Sequence, residues 1–173
     1  ERHDSFGQEA SSRNSEVIHS GVYYPTGSLK AKFCVEGNRM LYELCSKNHI
    51  TYKRTEKLIV ATNEDEEEIL AGLLKRGSDN GVIDLKIISS AEVKKLEHNI
   101  KAKSALHLTS TGIIDSHNLM KYFIQCIKEK GGDVVYNSNV NNVCKVLSGY
   151  EITIRDNKSE EFKFQSQVVI NCA

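Results

Sequence analysis

The stretch SSRNSEVIHSGVYYP, residues 11–25, decides how the rest of this sequence is interpreted. It places a run of hydroxyl and amide side chains before an apolar pair, a histidine, a glycine and two tyrosines. Short polar residues and glycine let backbone N–H groups approach a ligand closely, and the side chains add donors of their own. The histidine, His19, can take up a proton near neutral pH. The stretch therefore predicts one wall of a ligand-binding or catalytic site.

Composition and charge limit the class of protein. The 173 residues suit one domain with a real core, and 23 basic against 23 acidic residues argue against a nucleic-acid partner. Basic residues at 53–57 and 94–103 are interleaved with acidic and apolar ones, which is typical of a solvated face. The five cysteines have no metal-ligand spacing, which indicates free thiols in a reducing compartment. The sequence predicts a cytoplasmic protein without a metal site and leaves peripheral membrane docking open.

Hydrophobic periodicity and turn residues predict a mixed α and β chain. Helices are expected over about 28–47, 64–80, 91–97 and 115–130, with N-caps at Ser28, Asn63, Ser90 and either Asp115 or Ser116. Strands are expected over 82–88, 101–109, 133–136, 140–147, 150–155, 161–165 and 168–171. Residues 51–62 fit one strand or a bent pair, and residues 1–20 fit an extended loop. Since the chain starts with Glu1 and stops directly after a strand pattern, it is expected to be an excised fragment.

The block at 11–25 also carries a family resemblance. Together with TGSLKAK at 26–32, it resembles the segment after the second strand in the D-amino-acid-oxidase-like superfamily of FAD-dependent oxidoreductases. The similarity is collinear through VEGNRMLYELC at 35–45, KLIVAT at 57–62, STGIIDSH at 110–117 and VVINCA at 168–173. Within the superfamily the chain is most similar to the L-2-hydroxyglutarate dehydrogenase/oxidase branch. Glu16 departs from the pattern of that family, which has glycine at this place.

The resemblance implies a fragment of an FAD/NAD(P)-binding Rossmann-like domain with an inserted α+β substrate domain. Residues 1–25 and 112–173 would form part of the FAD-binding domain, and residues 26–111 would form a connecting helix and the substrate-binding domain. The phosphate-binding loop of such a domain is a Gly-x-Gly-x-x-Gly turn before a helix. This motif does not occur in the 173 residues, so the chain would hold only part of the cofactor site.

The resemblance also implies which residues contact FAD. An acidic residue after the second strand accepts hydrogen bonds from ribose hydroxyls, which is the place of Glu1. The Ser/Asn run would approach the pyrophosphate and the flavin ring, and the backbone of Val140 would contact adenine. The strand ending at Ala173 would lead into a turn over the cofactor. The cofactor-binding residues expected are Glu1, Arg2, Ser11, Ser12, Arg13, Asn14, Ser15, Val140 and Ala173.

Four further residues are candidates for chemistry and substrate binding. His19 is the candidate catalytic base, because oxidation of a hydroxy acid requires loss of the hydroxyl proton; flavin contact and a structural role are its alternatives. Tyr23 and Tyr24 would hydrogen-bond a substrate carboxylate or else pack at a domain junction. Lys30 would bind the substrate, and Lys32, two positions later on a helix, cannot share its face. His107 fits the core or the surface better than an active site, and Asp115–His117 fit a helix start.

The function implied is FAD-dependent oxidation of an L-2-hydroxy acid, with 2-hydroxyglutarate as the candidate substrate and hydride transfer to the flavin. Oxygen or a membrane quinone would take the electrons, so the partners expected are a small-molecule substrate and a quinone or the membrane surface. The alternatives are a related amine or glycerol-3-phosphate oxidase, or a non-catalytic fragment that acts as a substrate or interaction domain. The oligomeric state is left open.

Overall fold

The computed structural model describes residues 1–172 as alternating helices and antiparallel sheets. The helices within residues 1–172 are α1 (Leu29–Lys47), α2 (Glu64–Asp79), α3 (Ser90–Leu96) and α4 (Ser116–Glu129). The strands of this described part are β1 (Val17–Ile18), β2 (Tyr52–Arg54), β3 (Lys57–Ala61), β4 (Leu85–Ser89), β5 (Ser104–Leu108), β6 (Gly112–Ile114), β7 (Ser138–Val146), β8 (Gly149–Asp156) and β9 (Glu161–Ser166). The mixed α/β class expected from the sequence is confirmed.

The chain divides into two units. The larger one, Asn14–Leu119, contains two three-stranded sheets with the strand orders β1-β6-β2 and β3-β5-β4. The smaller one combines Glu1–Arg13 with the residues from Met120 onward and contains the meander β7-β8-β9. The boundaries expected from the sequence, at 25/26 and 111/112, separate a cofactor-binding domain from a substrate-binding domain. This functional division stays a prediction.

The core of the larger unit lies on the two faces of the sheet β3-β5-β4. On one face, α2 packs against the sheet. The fully buried cluster there consists of Val22, Ala61, Leu70, Leu106 and Leu108, of which Leu70 comes from α2. On the other face, Val93 of α3 packs against Ile88 of β4 and Ala105 of β5. Every residue of β5 is buried. The central strand is therefore covered on both of its faces, and its two polar residues, Ser104 and His107, are buried with the apolar ones.

Local capping chemistry sets the ends of the helices as expected. The Ser28 hydroxyl accepts the Ala31 N–H at 3.1 Å, and the Asn63 side chain accepts the Glu66 N–H at 3.0 Å. Gly81, the expected stop of α2, has a φ of +87° that favours glycine.

The short helix α3 begins one residue earlier than expected. Its N-cap is Ser89, not Ser90, and the Glu92 carboxylate accepts the Ser89 N–H at 2.8 Å. The Ser89 hydroxyl in turn accepts the Glu92 N–H, so the two residues bond reciprocally as a capping box. Ser90, the expected cap, is instead the first residue of the helix. At α4 the Asp115 carboxylate accepts the Asn118 N–H at 2.9 Å, so the helix-start interpretation of Asp115–His117 is confirmed.

Several strand predictions needed correction. Of the two alternatives for residues 51–62, the structure has the bent pair: two strands that lie in different sheets, with a turn at Glu56, whose φ is +59°. The strand expected at 82–88 starts at Leu85, and the one expected at 101–109 spans only Ser104–Leu108. Residues 133–136 and 168–171 are not strands, since neither segment has the regular ladder of backbone hydrogen bonds that a strand requires. The expected loop at 1–20 contains a 3₁₀ turn over Ala10–Ser12 and the strand β1.

Among the described residues, none of the helices combines the length and the apolar character that crossing a bilayer requires.

Candidate functional site

The first candidate site is a cavity of about 480 Å³ in the smaller unit. It brings together four of the residues expected to bind the cofactor, although the first and the last are far apart in sequence. The lining residues are Glu1, Arg2, Gly7, Gln8, Glu9, Ala10, Ser11, Ser138, Asn139 and Val140. The cavity therefore combines carboxylate, guanidinium, amide and hydroxyl groups with the first residues of β7.

Backbone pairing between the start of the chain and the segment before β7 builds this cavity. The Glu1 nitrogen donates to the Val135 carbonyl at 2.9 Å, and the Ser138 N–H donates to the Glu1 carbonyl at 2.9 Å. The Asn137 N–H donates to the His3 carbonyl at 2.8 Å. The Glu1 carboxylate accepts the His3 N–H at 3.0 Å, which orients it and leaves further lone pairs for a ligand.

Arg2 already has a carboxylate partner within this unit. Its guanidinium lies 3.4 Å from the Glu9 carboxylate, and the His3 ring nitrogen Nε2 lies 2.8 Å from the same group. The hydrogen bond from His3, followed by the charge of Arg2, holds the pKa of Glu9 below its usual range. The positive charge of Arg2 at the cavity is therefore partly matched by Glu9 before any ligand binds.

The structure separates the expected cofactor loop at residues 11–15. Ser11 lines the cavity, whereas the described lining does not contain the four residues that follow it. The Ser12 hydroxyl lies against Gly7, and Arg13 closes the 3₁₀ turn through its N–H to the Ala10 carbonyl at 3.2 Å. Asn14 and Ser15 belong to the larger unit. Ala173, also expected at the cofactor, lies outside the described residues.

The second candidate site, in the larger unit, is centred on His19, directly after β1. The His19 carbonyl accepts the Asn38 side-chain N–H at 3.0 Å and the Cys34 S–H at 3.4 Å, so α1 fixes the backbone of the residue. The ring is exposed but loses part of its hydration, which lowers its pKa; the charges of Lys57 and Lys30 lower it further. A neutral imidazole at pH 7 can accept a proton, which is what a general base requires.

Tyr23 and Tyr24 each lie beneath a lysine. The Lys57 Nζ is 4.8 Å from the centre of the Tyr23 ring, and the Lys30 Nζ is 4.7 Å from the centre of the Tyr24 ring. Lys30 comes from the first turn of α1 and Lys57 is the first residue of β3. The structure therefore brings His19 and the three expected substrate residues into one cluster and adds Lys57.

Lys57 was not predicted as a site residue, because basic residues at 53–57 interleaved with acidic and apolar ones are typical of a solvated face. The structure instead leaves this side chain half-buried. The available signal was its position directly before the apolar run LIVA, which places it at the edge of a buried strand.

The turn that carries the two tyrosines is held from both sides. Gly21 has a φ of +99°, and a Cβ there would lie 2.9 Å from Val35 Cγ2, so only glycine fits this close approach to α1. The Asn80 side chain donates to the Gly21 carbonyl at 3.0 Å and to the Tyr24 carbonyl at 2.9 Å. The residue between them, Val22, is buried in the core. The tyrosines are therefore presented by a rigid backbone.

His107 lies in the core, which is one of the two placements expected from the sequence. Its side chain is 8% exposed, and its Nε2 is 2.5 Å from the Glu56 carboxylate. Its other ring nitrogen has no hydrogen-bond partner among the described residues. Glu56 also donates its backbone N–H to the Thr111 carbonyl at 2.9 Å. The pair therefore fixes the turn between β2 and β3, directly before Lys57.

A second cavity in the larger unit, of about 430 Å³, lies between α1 and the loop after α2. It is mostly apolar, and its guanidinium groups belong to Arg39 and Arg54. Arg54 stacks on the Tyr42 ring, 3.7 Å from its centre. None of the expected site residues lines this cavity, so we do not assign the chemistry to it.

Comparison with known proteins places the chain in a family context. The model of the family described as "FAD dependent oxidoreductase" (DAO) matches residues 1–173. The chain is 38% identical over 169 residues to a human protein named "L-2-hydroxyglutarate dehydrogenase, mitochondrial", with 92% of this chain and 36% of the relative covered. It is 43% identical over 138 residues to the Arabidopsis thaliana protein of the same name, with 79% of this chain and 28% of the relative covered. The chain thus spans about a third of the human relative and somewhat less of the Arabidopsis one.

Among solved structures, the chain resembles L-alpha-glycerophosphate oxidase from Mycoplasma pneumoniae, whose structure was determined with FAD bound. The TM-score is 0.81 at 28% sequence identity, with 91% of this chain and 42% of that protein covered. The mixed α/β arrangement of helices and antiparallel sheets is thus shared with a solved flavoenzyme.

Proposed function

This chain belongs to the FAD dependent oxidoreductase family, and on that premise we propose that it is part of an enzyme that oxidises L-2-hydroxyglutarate. The observation that carries the proposal is the 38% identity to the human L-2-hydroxyglutarate dehydrogenase across 92% of this chain. The reaction would convert the hydroxyl-bearing carbon to a carbonyl and produce a 2-keto acid. FAD would supply the acceptor for the hydride that leaves this carbon.

The cavity of the smaller unit fits the adenosine half of FAD. A ribose requires an acceptor for its hydroxyl hydrogens, and the Glu1 carboxylate at the cavity has free lone pairs for them. An adenine edge requires backbone donors and acceptors, which the chain at Val140 offers. Arg2 and Ser11 add donors to the same cavity. We therefore assign the cofactor role first to Glu1, Arg2, Ser11 and Val140, with Ser12–Ser15 completing the neighbouring loop.

In the proposed reaction His19 is the base and the neighbouring side chains bind the substrate. The imidazole would accept the hydroxyl proton of the substrate while the carbon that bears the hydroxyl loses a hydride, so that both hydrogens and both electrons lost by the substrate are accounted for. Tyr23, Tyr24 and Lys30 would bind the carboxylate groups of the substrate. The domain assignment is also a proposal: residues 1–25 and 112–173 would form part of the FAD-binding domain, and residues 26–111 would form the connecting helix and the substrate-binding domain.

Oxidation of glycerol 3-phosphate is the second candidate function. It is favoured by the similarity to the Mycoplasma pneumoniae glycerophosphate oxidase, at a TM-score of 0.81. The electron acceptor, oxygen or a quinone at the membrane surface, is a further part of the proposal. So is the compartment: the sequence predicts the cytoplasm, whereas the names of the matched relatives include "mitochondrial", and cell fractionation with an antibody distinguishes the two.

The proposal is tested by absorbance spectroscopy of the flavin-loaded enzyme. Anaerobic addition of L-2-hydroxyglutarate should bleach the flavin band, and glycerol 3-phosphate should not. His19→Ala should slow bleaching by about 10²–10⁴-fold, the usual contribution of a general base. His98→Ala is the matched control, since His98 is exposed and lies outside both candidate sites. A protein that takes up no FAD, or a His19→Ala variant with the rate of the control, would overturn the assignment.

A further inference from the structure

Two lysine ammonium groups flank a pair of consecutive tyrosines beside His19. Lys57 lies over the Tyr23 ring and Lys30 over the Tyr24 ring, at 4.8 and 4.7 Å from the ring centres. They come from different elements, β3 and α1, which are 27 positions apart at these residues. Their convergence on one dipeptide is therefore a product of the fold and not of a charged run in the sequence.

Within the described part of the chain, neither ammonium group has a carboxylate partner. Other lysines of the chain do: Lys75 pairs with Asp79 at 2.7 Å, and Lys163 pairs with Glu151 at 3.0 Å. Lys57 is half-buried, and a cation in such a place is normally paired. The acidic residue next to it in sequence, Glu56, is engaged by His107 instead.

The tyrosine rings do not replace a counter-ion. A cation above an aromatic face is held by the ring quadrupole, and its N–H donors can still bond to an anion. Both charges also lower the pKa of His19, so the cluster presents an unbalanced positive field to whatever the histidine faces. An anionic group bound here would be attracted by both lysines.

We propose that Lys57, together with Lys30, forms a carboxylate-binding site next to His19 that selects dicarboxylic over monocarboxylic 2-hydroxy acids. The inference rests on the proposed function and adds the residue that would determine substrate class. One carboxylate of the substrate would lie beside the reacting hydroxyl, and the lysines would take the other. A phosphate group is also anionic and would be attracted by the same lysines, so glycerol 3-phosphate is the competing ligand.

The site can be tested on the 173-residue chain without flavin or turnover, by NMR of the His19 ring during titration with glutarate, butyrate and glycerol 3-phosphate. Glutarate should shift the His19 resonances in a saturable way and raise the pKa of His19, because the bound anion offsets the lysine charges. Butyrate should bind about tenfold more weakly, which corresponds to about 1.4 kcal/mol. Stronger binding of glycerol 3-phosphate than of glutarate would overturn the dicarboxylate assignment.

Substitution of one lysine separates the site from a general charge effect. Lys57→Gln should weaken glutarate binding about tenfold and should raise the pKa of His19 even without ligand, since a nearby positive charge is lost. Lys32→Gln is the matched control, because Lys32 is an exposed lysine of the same helix as Lys30. Amide spectra that overlay with the unmodified chain confirm folding. Glutarate binding that is equal in Lys57→Gln and the control would overturn the inference.

The two proposals fail in different ways. Glutarate binding that depends on Lys57, in an enzyme whose flavin is not bleached by L-2-hydroxyglutarate, would overturn the proposed function and leave the anion site. Normal bleaching with unchanged glutarate binding in Lys57→Gln would overturn the anion site alone.

Discussion

Replacing Leu106 by alanine tests whether the sheet that presents Lys57 is stabilised by the core beneath it. Leu106 lies in the middle of the central strand β5, is 0% exposed, and packs in the cluster with Val22 and Leu70. The substitution removes three carbon atoms, which at about 0.8 kcal/mol each gives about 2.4 kcal/mol for lost burial. A cavity term is added because the surrounding side chains relax only in part. We expect a total loss of about 3–4 kcal/mol in the free energy of unfolding.

Ile87→Ala is the matched control for this substitution. Ile87 lies opposite Leu106 on β4, so the two residues share a face of the sheet. It loses the same number of carbon atoms, but it is 43% exposed. Since about half of its side chain already contacts water, we expect a loss of only about 1–1.5 kcal/mol and no closed cavity.

Hydrogen exchange of the β5 amides is the suitable assay, because the chain has two units and a global transition need not report on one of them. The free energy of opening at residues 104–108 should fall by at least about 1.5 kcal/mol more in Leu106→Ala than in Ile87→Ala. Equal losses in the two variants would refute the reasoning, since they would show that full burial of Leu106 contributes nothing beyond partial burial.

Three further predictions concern single positions. Partial loss of hydration and the charges of two lysines lower the pKa of His19 from 6.5, so protonation favours the unfolded state. The contribution of neutral His19 to stability should therefore be lost as the pH falls below about 6.5. An NMR titration of the ring should give a midpoint below that value, and a higher midpoint contradicts the prediction. Gly72→Ala should stabilise the chain by up to about 1 kcal/mol, because the space around Gly72 on α2 is open. Gly77→Ala should not show this gain, since its Cβ would lie 2.5 Å from Leu85 Cδ1. Equal melting temperatures for the two variants would argue against the packing described. Ser89→Ala should cost about 1 kcal/mol through loss of the α3 cap, measured by urea unfolding, and an unchanged midpoint would show that the capping box is dispensable.

Elements that depend on local interactions were predicted well from the sequence. The first two helices begin at the expected caps, Ser28 and Asn63, because capping involves residues only three positions apart. The hairpins of the smaller unit follow from turn residues between alternating strands. The strand predictions at 133–136 and 168–171 were wrong, because β-propensity does not show whether a segment forms a regular ladder with a neighbouring strand.

The candidate sites depend on contacts that no local pattern contains. Glu1 and Val140 line one cavity because the start of the chain pairs with the segment before β7. Lys57 reaches Tyr23 because Val22 is buried against the sheet that Lys57 begins. Glu1 and Val140 could be predicted only through the family resemblance, and Lys57 was not predicted because a basic residue near other charged residues is usually solvated.

Glu16 shows how a departure from a family pattern can be explained by a distant contact. Its φ is +54°, a left-handed conformation that favours glycine, which is the residue expected there from the family resemblance. The Glu16 carboxylate accepts the Ser116 hydroxyl at 2.6 Å and the Ser116 N–H at 3.0 Å, and these bonds hold its pKa below the usual range. The bonds tie the backbone before β1 to the first residue of α4. We therefore interpret Glu16 as a structural substitution that offsets backbone strain with a helix-start interaction, and not as evidence for a different substrate.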